Sequence, residues 1–436
     1  MGTTIRPDGS SRKQILLTAC IFMGLAHIMY LKQYIKGAFL AFIEVLFIIS
    51  SPSIFTNLRK MLALSGDKSN PSAFRLIDGL IYLIIAVIFI IIYILTIKNA
   101  VASYEDFCLD GRMKSQKESM TGMSGKAFPI FGLAPAFLLI VFFVVIPLLF
   151  SMLAAFTSYS ESGEEKVSPN AFGWVGFRNF GKVFGKSSSW SDSFLGVAIW
   201  TVVWGTLATL TCYLGGMIMA VILYEAKLKT TPVFRAILIL PYAVPSLLTI
   251  SVWKNMLMGS KYGIINKTLV EFGIINSSNE IKFLNGTNGM ARAFCILINM
   301  WVGIPYFMLL ITGQMTAISS DIYEAAAIDG ANQFQVFRYI TLPMVVYQTA
   351  PLIIMSFTHN INNFGAVYYL TGGGPNANIK TQAGGTDIFI SWIYKISTTQ
   401  KDYYMGSVLA IFVFAVLAPF AIFNFINTKS FKEGEL

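Results

Sequence analysis

Residues 324–343 read EAAAIDGANQFQVFRYITLP. Glu324, Ala325, Ala326 and Ala327 favour helix, Gly330 permits a turn, and Pro343 opens the segment that follows. Asp321, just upstream, reads as the N-cap. The pattern is therefore helix, break, helix. Apolar runs at 293–318 and 344–369 flank it, and each exceeds the roughly 20 residues that a helix needs to cross about 30 Å of hydrocarbon. A short amphipathic hairpin between two such runs makes the chain an all-α, polytopic membrane protein. Such a hairpin can be a docking knob for a partner protein or an ordinary interfacial connector, and the residues alone leave both open.

Composition agrees. Of 436 residues, 55% are hydrophobic and 12% charged, about half the charged fraction of a typical soluble chain. The formal charge of +10 is read as Lys and Arg retained on the cytoplasmic side. No basic tract interleaved with aromatics appears, which argues against nucleic acid as a partner. Cys20, Cys108, Cys212 and Cys295 are scattered, without zinc-ligand or CxxC spacing, and read as small buried hydrophobes. The N-terminal MGTTIRPDGSSRKQ precedes an apolar run without a small-residue cleavage site, so an uncleaved anchor is expected.

Apolar segments lie near 14–31, 37–50, 77–97, 128–156, 195–224, 234–257, 293–318, 344–369 and 404–427. The first two are short. Both chain ends are basic, so both termini are placed inside, with 14–50 giving one crossing plus a re-entrant or interfacial piece. About eight transmembrane helices result. The polar stretch 98–127 is the best boundary, separating an N-terminal membrane extension and linker (1–125) from a six-helix core (126–436). The short basic link with Lys227, Lys229 and Arg235 falls inside, as does the loop 321–343. The loops 157–192, 258–290 and 371–402 fall outside.

The quoted loop then resolves further. Glu324-Ala325-Ala326, three residues, Gly330, nine residues, Ile340, one residue and Leu342-Pro343 reproduce the fixed positions of the EAA loop of ABC-importer permeases. The chain resembles that superfamily, and its type I importer fold is the expectation. The resemblance implies that the loop is a coupling helix seated in a cleft of a cytoplasmic ATPase, with Glu324, Ala325, Ala326, Asp329 and Gly330 at the joint. FGWVGFRNF (172–180), RAILILPYAVP (235–245) followed by Trp253, LTGGGP (370–375) and AGGTDIFISWIY (383–394) look like segments of sugar permeases, the last like the larger maltose/maltodextrin permease. The loop 157–192 is much shorter than in the enterobacterial type, and the N-terminal region differs.

Ser356, His359, Asn360 and Asn363 fall at i, i+3, i+4 and i+7, on one face of a helix otherwise built of Leu, Ile, Met and Phe. Polar groups in hydrocarbon need partners or a wet cavity. Asn pairs a donor with an acceptor, which suits sugar hydroxyls, but interhelical hydrogen bonding satisfies the same spacing. By resemblance the NxNNF pattern, here residues 360–364, binds sugar. The WxGxPY pattern, here 301–306, adds Val302, Gly303 and Tyr306, with Gly303 giving a close backbone approach and Tyr306 a stacking face or mere packing. His359 departs from the aromatic common in such permeases. His27 reads as packing, and the segment of Glu44 reads as interfacial.

The function implied by the resemblance is the permease subunit of an ATP-driven maltodextrin importer in a bacterial cytoplasmic membrane, with galacto-oligosaccharides as the nearest alternative cargo. Its expected partners are a second homologous permease, a dimeric ABC ATPase and an extracellular solute-binding protein. No cofactor or metal is expected, and no enzyme activity of its own, since GMSGKAF around Lys126 lacks phosphate-loop spacing. An ion-coupled carrier would place a carboxylate at the midplane, and the six core spans have none. A membrane glycosyltransferase would cluster Asp, Glu or His at one face, and none cluster.

Overall fold

Apolar runs of span length become helices because hydrocarbon offers the backbone no hydrogen-bond partner but itself. The computed structural model describes residues 12–110, 132–161, 170–185, 188–225, 230–259, 263–276 and 278–426. Among these, no strand forms beyond an isolated bridge between Thr157 and Trp174. Seven helices are long and apolar enough to cross a membrane, or eight if one bent pair counts as a span, in agreement with the expected number. By packing, the chain divides into residues 1–176 and 177–436. The expected boundary at 125/126, Lys126, Lys227 and Lys229 lie outside the described residues.

In the first unit, α1 (Arg12–Ile21) and α2 (Leu25–Met29) are too short to cross. Gly24, at φ +90°, separates them, and a Cβ there would meet the Gly37 carbonyl oxygen at 2.2 Å. Helix α3 (Tyr34–Ala63) has 30 residues, so the segment carrying Glu44 is a span rather than interfacial. Glu44 is buried and accepts from the Met23 amide, which removes the penalty for an unpaired carboxylate. His27 is packing, as expected: it is fully buried and meets the Asn99 amide oxygen at 3.3 Å. Helix α4 (Ser72–Asp110) returns against α3, with Phe47 stacked on Phe89 at 3.7 Å.

Helix α5 (Gly132–Ala154) packs with α4 in this same unit. A π-turn at Val141–Val145 precedes Pro147, absorbing the residue that lacks an N–H and crowds the turn before it. The following FGWV segment closes over the α3–α4 turn: Phe172 stacks on Tyr159 at 4.5 Å, and the Trp174 indole donates to the Met61 carbonyl at 3.1 Å.

The second unit is built around α7 (Ser189–Glu225), which follows the short α6 (Arg178–Phe184). Small residues on α7 admit neighbouring helices closely. A Cβ on Gly216 would meet Phe307 Cβ at 2.4 Å, so glycine is required where α11 (Asn288–Thr316) crosses. The expected third core helix is two pieces, α8 (Thr231–Ala243) and α9 (Ser246–Met256), bent by 89°. Val244 is extended at φ −84°, ψ 136°, the conformation that a following proline favours, and Pro245 thereby breaks the span. Helix α10 (Ile264–Glu271) follows.

After α11 come the elbow helices α12 (Ser320–Ile328) and α13 (Gln333–Val336), a π-turn at Phe337–Thr341, and α14 (Leu342–Ile361). Ser319, not Asp321, caps α12, its hydroxyl accepting from the Asp321 amide; either residue type can cap, and the helix starts two residues earlier than expected. The expected continuous helix over 344–369 breaks at Asn362, where Asn363 caps the short α15 (Phe364–Thr371). Beyond the loop 372–388 and α16 (Phe389–Lys395), α17 (Tyr403–Ile426) ends the described chain.

Candidate functional site

On α11, Asn299, Val302, Gly303 and Tyr306 fall at i, i+3, i+4 and i+7, so they share a face. On α14 and the cap of α15, Ser356, His359, Asn360 and Asn363 do the same. The two stripes meet. All eight line one cavity of about 370 Å³ within the second unit, and it therefore brings together the seven residues proposed from sequence for substrate contact. Cys212 of α7, Tyr242 of α8, and Phe307, Leu352 and Met355 complete its wall. No Asp, Glu, Lys or Arg stands among these lining residues.

Each polar side chain has a local reason for its position. The buried Asn360 donates from Nδ2 to Thr209 Oγ1 at 3.0 Å, while its backbone carbonyl accepts from the Trp204 indole at 3.0 Å. It thus cross-links α14 to α7, as the interhelical reading of the stripe requires, and also lines the cavity. Asn363 accepts through Oδ1 from the Ala366 amide at 3.2 Å, engaging one end of its amide as a helix cap. His359 is exposed to the cavity. Gly303 lies where α11 touches α7, and a Cβ there would meet Cys212 Sγ at 2.6 Å. The close approach that its motif requires is therefore, in this chain, an approach to Cys212.

Tyr306 stands edge-on to Phe307, centroids 5.1 Å apart, and Phe307 stands edge-on to Tyr213 at 5.5 Å. The Tyr213 hydroxyl is 2.9 Å from Thr349 Oγ1 on α14. This aromatic relay fixes the Tyr306 ring from behind. Sequence reasoning missed Asn299 and Tyr242. Asn299 was legible, because it extends the Val302–Tyr306 stripe by one turn; Tyr242 was not, because its place depends on the 89° bend.

The elbow lies at the far end of the same two helices. From Gly303 to the end of α11, and from the start of α14 to Ser356, the chain rises at roughly 1.5 Å per residue, or about 20 Å. The cavity is therefore well inside the span while the elbow is at its end. Glu324, Ala325, Asp329 and Gly330 are exposed, and Ala326 is buried. Gly330 adopts φ +77° with open space around it, the left-handed turn that ends α12. Asn332 and Gln335 form a reciprocal capping box that starts α13. Ile328, Phe334 and Tyr339 are 86%, 73% and 76% exposed, an apolar and aromatic set on the surface of the elbow. Tyr323 reaches back to within 3.3 Å of Thr341 Oγ1, tying α12 to the foot of α14.

A multi-pass helical bundle with a cavity in mid-span lined by no Asp, Glu, Lys or Arg, and a glycine-hinged elbow at the end of both cavity helices, has the layout of a transport permease. The chain belongs to the family described as the binding-protein-dependent transport system inner membrane component, whose profile matches residues 212–430. It is 35% identical to the galactooligosaccharides transport system permease protein GanP of Bacillus subtilis over 430 residues, covering 97% of this chain and 99% of that protein. It is 32% identical to the maltodextrin transport system permease protein MdxF of the same organism, covering 84% of each. Identity to the maltodextrin transport system permease protein MalC of Streptococcus pneumoniae is 30%, over 95% of this chain and 96% of that one. The fold matches that of a chain in the crystal structure of a bacterial ABC transporter involved in import of the acidic polysaccharide alginate, with a TM-score of 0.56 and 19% identity, covering 70% of this chain and 96% of that chain. The bundle thus has the type I importer fold.

Proposed function

We propose that this chain is the translocating permease subunit of an ATP-driven importer for neutral oligosaccharides, with maltodextrins as the cargo. The observation that carries the reading is the convergence of the α11 stripe Asn299, Val302, Gly303 and Tyr306 and the polar α14 stripe on one cavity lined by no Asp, Glu, Lys or Arg, whose two wall helices both end at the exposed elbow. In this reading the elbow seats in a separate ATPase dimer, with Glu324, Ala325, Ala326, Asp329 and Gly330 at the joint. Closure of the ATPase pushes the feet of both cavity helices together, and the cavity opens alternately outward and inward. Asn360, Asn363, Ser356 and His359 present donors and acceptors to sugar hydroxyls, Tyr306 presents a ring face, and Val302 and Gly303 shape the floor. A second homologous permease supplies the other half of the pathway, and an extracellular solute-binding protein delivers the sugar. The setting is a bacterial cytoplasmic membrane with the elbow and both termini inside.

The cargo has a second reading. The 35% identity to GanP over nearly the whole of both chains favours galacto-oligosaccharides. The two are separated by reconstituting the chain with its partner permease, ATPase and receptor in vesicles and measuring uptake of labelled maltotriose and a galacto-oligosaccharide. ATP-dependent uptake that survives collapse of the proton gradient is expected, with maltotriose the preferred sugar. Preference for the galactoside replaces the first cargo with the second. Uptake without the ATPase, or uptake abolished by the protonophore alone, overturns the importer reading and returns the ion-coupled carrier.

A further inference from the structure

Asn360 sits one residue before the end of α14, where the span breaks. The last four carbonyls of a helix have no partner within it, so a buried break needs acceptor partners from elsewhere. Helix α7 supplies one. The Asn360 carbonyl accepts from the Asn363 amide at 3.2 Å and, on its second lone pair, from the Trp204 indole at 3.0 Å. Trp204 is fully buried, so no water competes for its N–H. The adjacent Gly205 lets the two helices close on each other: a Cβ there would meet Ile361 Cγ1 at 2.7 Å and Phe357 Cε2 at 3.2 Å. The backbone of the last turn of α14 is thereby pinned against α7.

With the backbone fixed, the remaining freedom of Asn360 is the turn of its amide. That group carries donors on one arm and an acceptor on the other. Thr209, five residues beyond Trp204, takes the donor arm: Nδ2 lies 3.0 Å from its Oγ1. The nitrogen is thus directed toward α7, and the oxygen stands on the other arm of the same planar group. Among the described residues Oδ1 accepts no hydrogen bond, which leaves it for the cavity that Asn360 lines. An acceptor there calls for a hydroxyl that donates. Thr209 is 2% exposed and is not part of the cavity wall, so the cargo does not reach it.

We propose that Thr209 is a positioning residue for the cargo site: acting from α7 without touching sugar, it turns the Asn360 amide so that Oδ1 accepts from a sugar hydroxyl. This rests on the oligosaccharide reading above.

The test is a double-mutant cycle on sugar affinity. Equilibrium binding is measured on the purified complex of this chain, its partner permease and the ATPase, with the receptor omitted. The probe is labelled maltotriose, or the labelled galacto-oligosaccharide if uptake selects that sugar. Thr209→Val keeps the shape and removes the hydroxyl; it is expected to weaken binding about tenfold, the size of one lost hydrogen bond. Uptake at saturating sugar is expected to stay within about twofold of wild type. Thr209→Ser restores the hydroxyl and should restore the affinity. Asn360→Ala is expected to weaken binding about as much as Thr209→Val, and combining the two should add no further loss.

A merely structural tie between the helices gives a different result: Thr209→Val lowers the yield of assembled complex or the saturating rate and leaves the affinity unchanged. That outcome overturns the proposal. So does a loss that persists in the Asn360→Ala background, since Thr209 then acts on the sugar by another route. Should the valine variant not assemble, Thr209→Ala takes its place in the cycle, and failure of both to assemble marks Thr209 as structural and rejects its positioning role. A wild-type complex that binds neither sugar sinks this proposal together with the function. Sugar binding that falls with Asn360→Ala yet ignores Thr209→Val sinks this proposal alone.

Discussion

Gly303 illustrates how a motif residue can act through its neighbour. Its missing side chain leaves room for Cys212 Sγ, 2.6 Å from where a Cβ would stand. Gly303→Ala is expected to destabilise the purified protein by about 1–3 kcal/mol, the usual cost of overpacking. Adding Cys212→Ala should restore most of the loss, because the colliding atom is gone. Thermal denaturation of the two single variants and the double variant checks this, and strictly additive losses would reject the contact as the cause.

The paired asparagines also carry structural duties that must be separated from binding. Asn363→Ala removes the α15 cap, at a cost of about 0.5–2 kcal/mol, whereas Asn363→Ser keeps a capping oxygen and removes the amide. Both variants are expected to lower sugar transport, but only the alanine should lower the melting temperature appreciably. Normal transport by the serine variant would take Asn363 out of the sugar site. The polar stripe itself was legible from spacing alone. Its second duty was not, because Thr209 and Trp204 meet Asn360 from a helix more than 150 positions away in the chain.

At the scale of elements, the elbow was the most legible part of the chain, because its signals are local: a run of alanines, a glycine in the left-handed turn, a proline at the next helix start. A Cβ on Gly330 meets nothing within 4 Å, so a substitution there is penalised by φ +77° and not by crowding. Gly330→Asn, which tolerates that conformation, should leave this chain folded, as should Gly330→Asp. Loss of ATPase co-purification with Gly330→Asp in a normally folded chain is therefore the expected signature of a joint. A full complement of bound ATPase with normal transport would remove Gly330 from it. The bend between α8 and α9 and the break at Asn362 were less legible, since Pro and Asn permit a break without requiring one, and packing on α11 and α7 decides.

The loop 372–388 is the other well-built element, and it lies outside the membrane-spanning helices. Asp387, fully buried, accepts from Ser391 at 2.8 Å and from the Gly384 amide at 2.7 Å, and pairs with Lys395. Burial pushes its carboxyl up from 3.8 to about 6, against the pull of the Lys395 ammonium. The folded chain therefore keeps this proton to a higher pH than the unfolded chain. That contribution to stability is complete below the unfolded value and is lost as pH rises toward 6. The melting temperature of the wild type, measured against Asp387→Asn, should fall between about pH 4 and 6 and run level above. Parallel profiles would show that Asp387 does not titrate in that window.

At the scale of the whole molecule, membrane architecture followed from composition, because the length of apolar runs is a direct consequence of bilayer thickness. The exception is α3, where Glu44 and Pro52 interrupt the apolar pattern without interrupting the helix; a buried hydrogen bond to the Met23 amide is invisible in a linear reading. One span, Gln333–Thr371, joins the elbow to the loop 372–388, so the two belong on opposite faces of the membrane. An impermeant thiol reagent should label Phe334→Cys only from the side of the ATPase and Ile379→Cys, a position 90% exposed, only from the other. Labelling of both from one side would invalidate the placement of the elbow and the mechanism built on it.

The uncharged lining of the cavity has an energetic corollary. An electroneutral passenger moving past walls without fixed charge carries no current, so the transmembrane voltage, worth about 2.3 kcal/mol per elementary charge at 100 mV, does no work on it. In the proposed importer, accumulation against a gradient draws on nucleotide hydrolysis, and clamping the voltage across a proteoliposome is expected to leave the steady-state sugar ratio where it was.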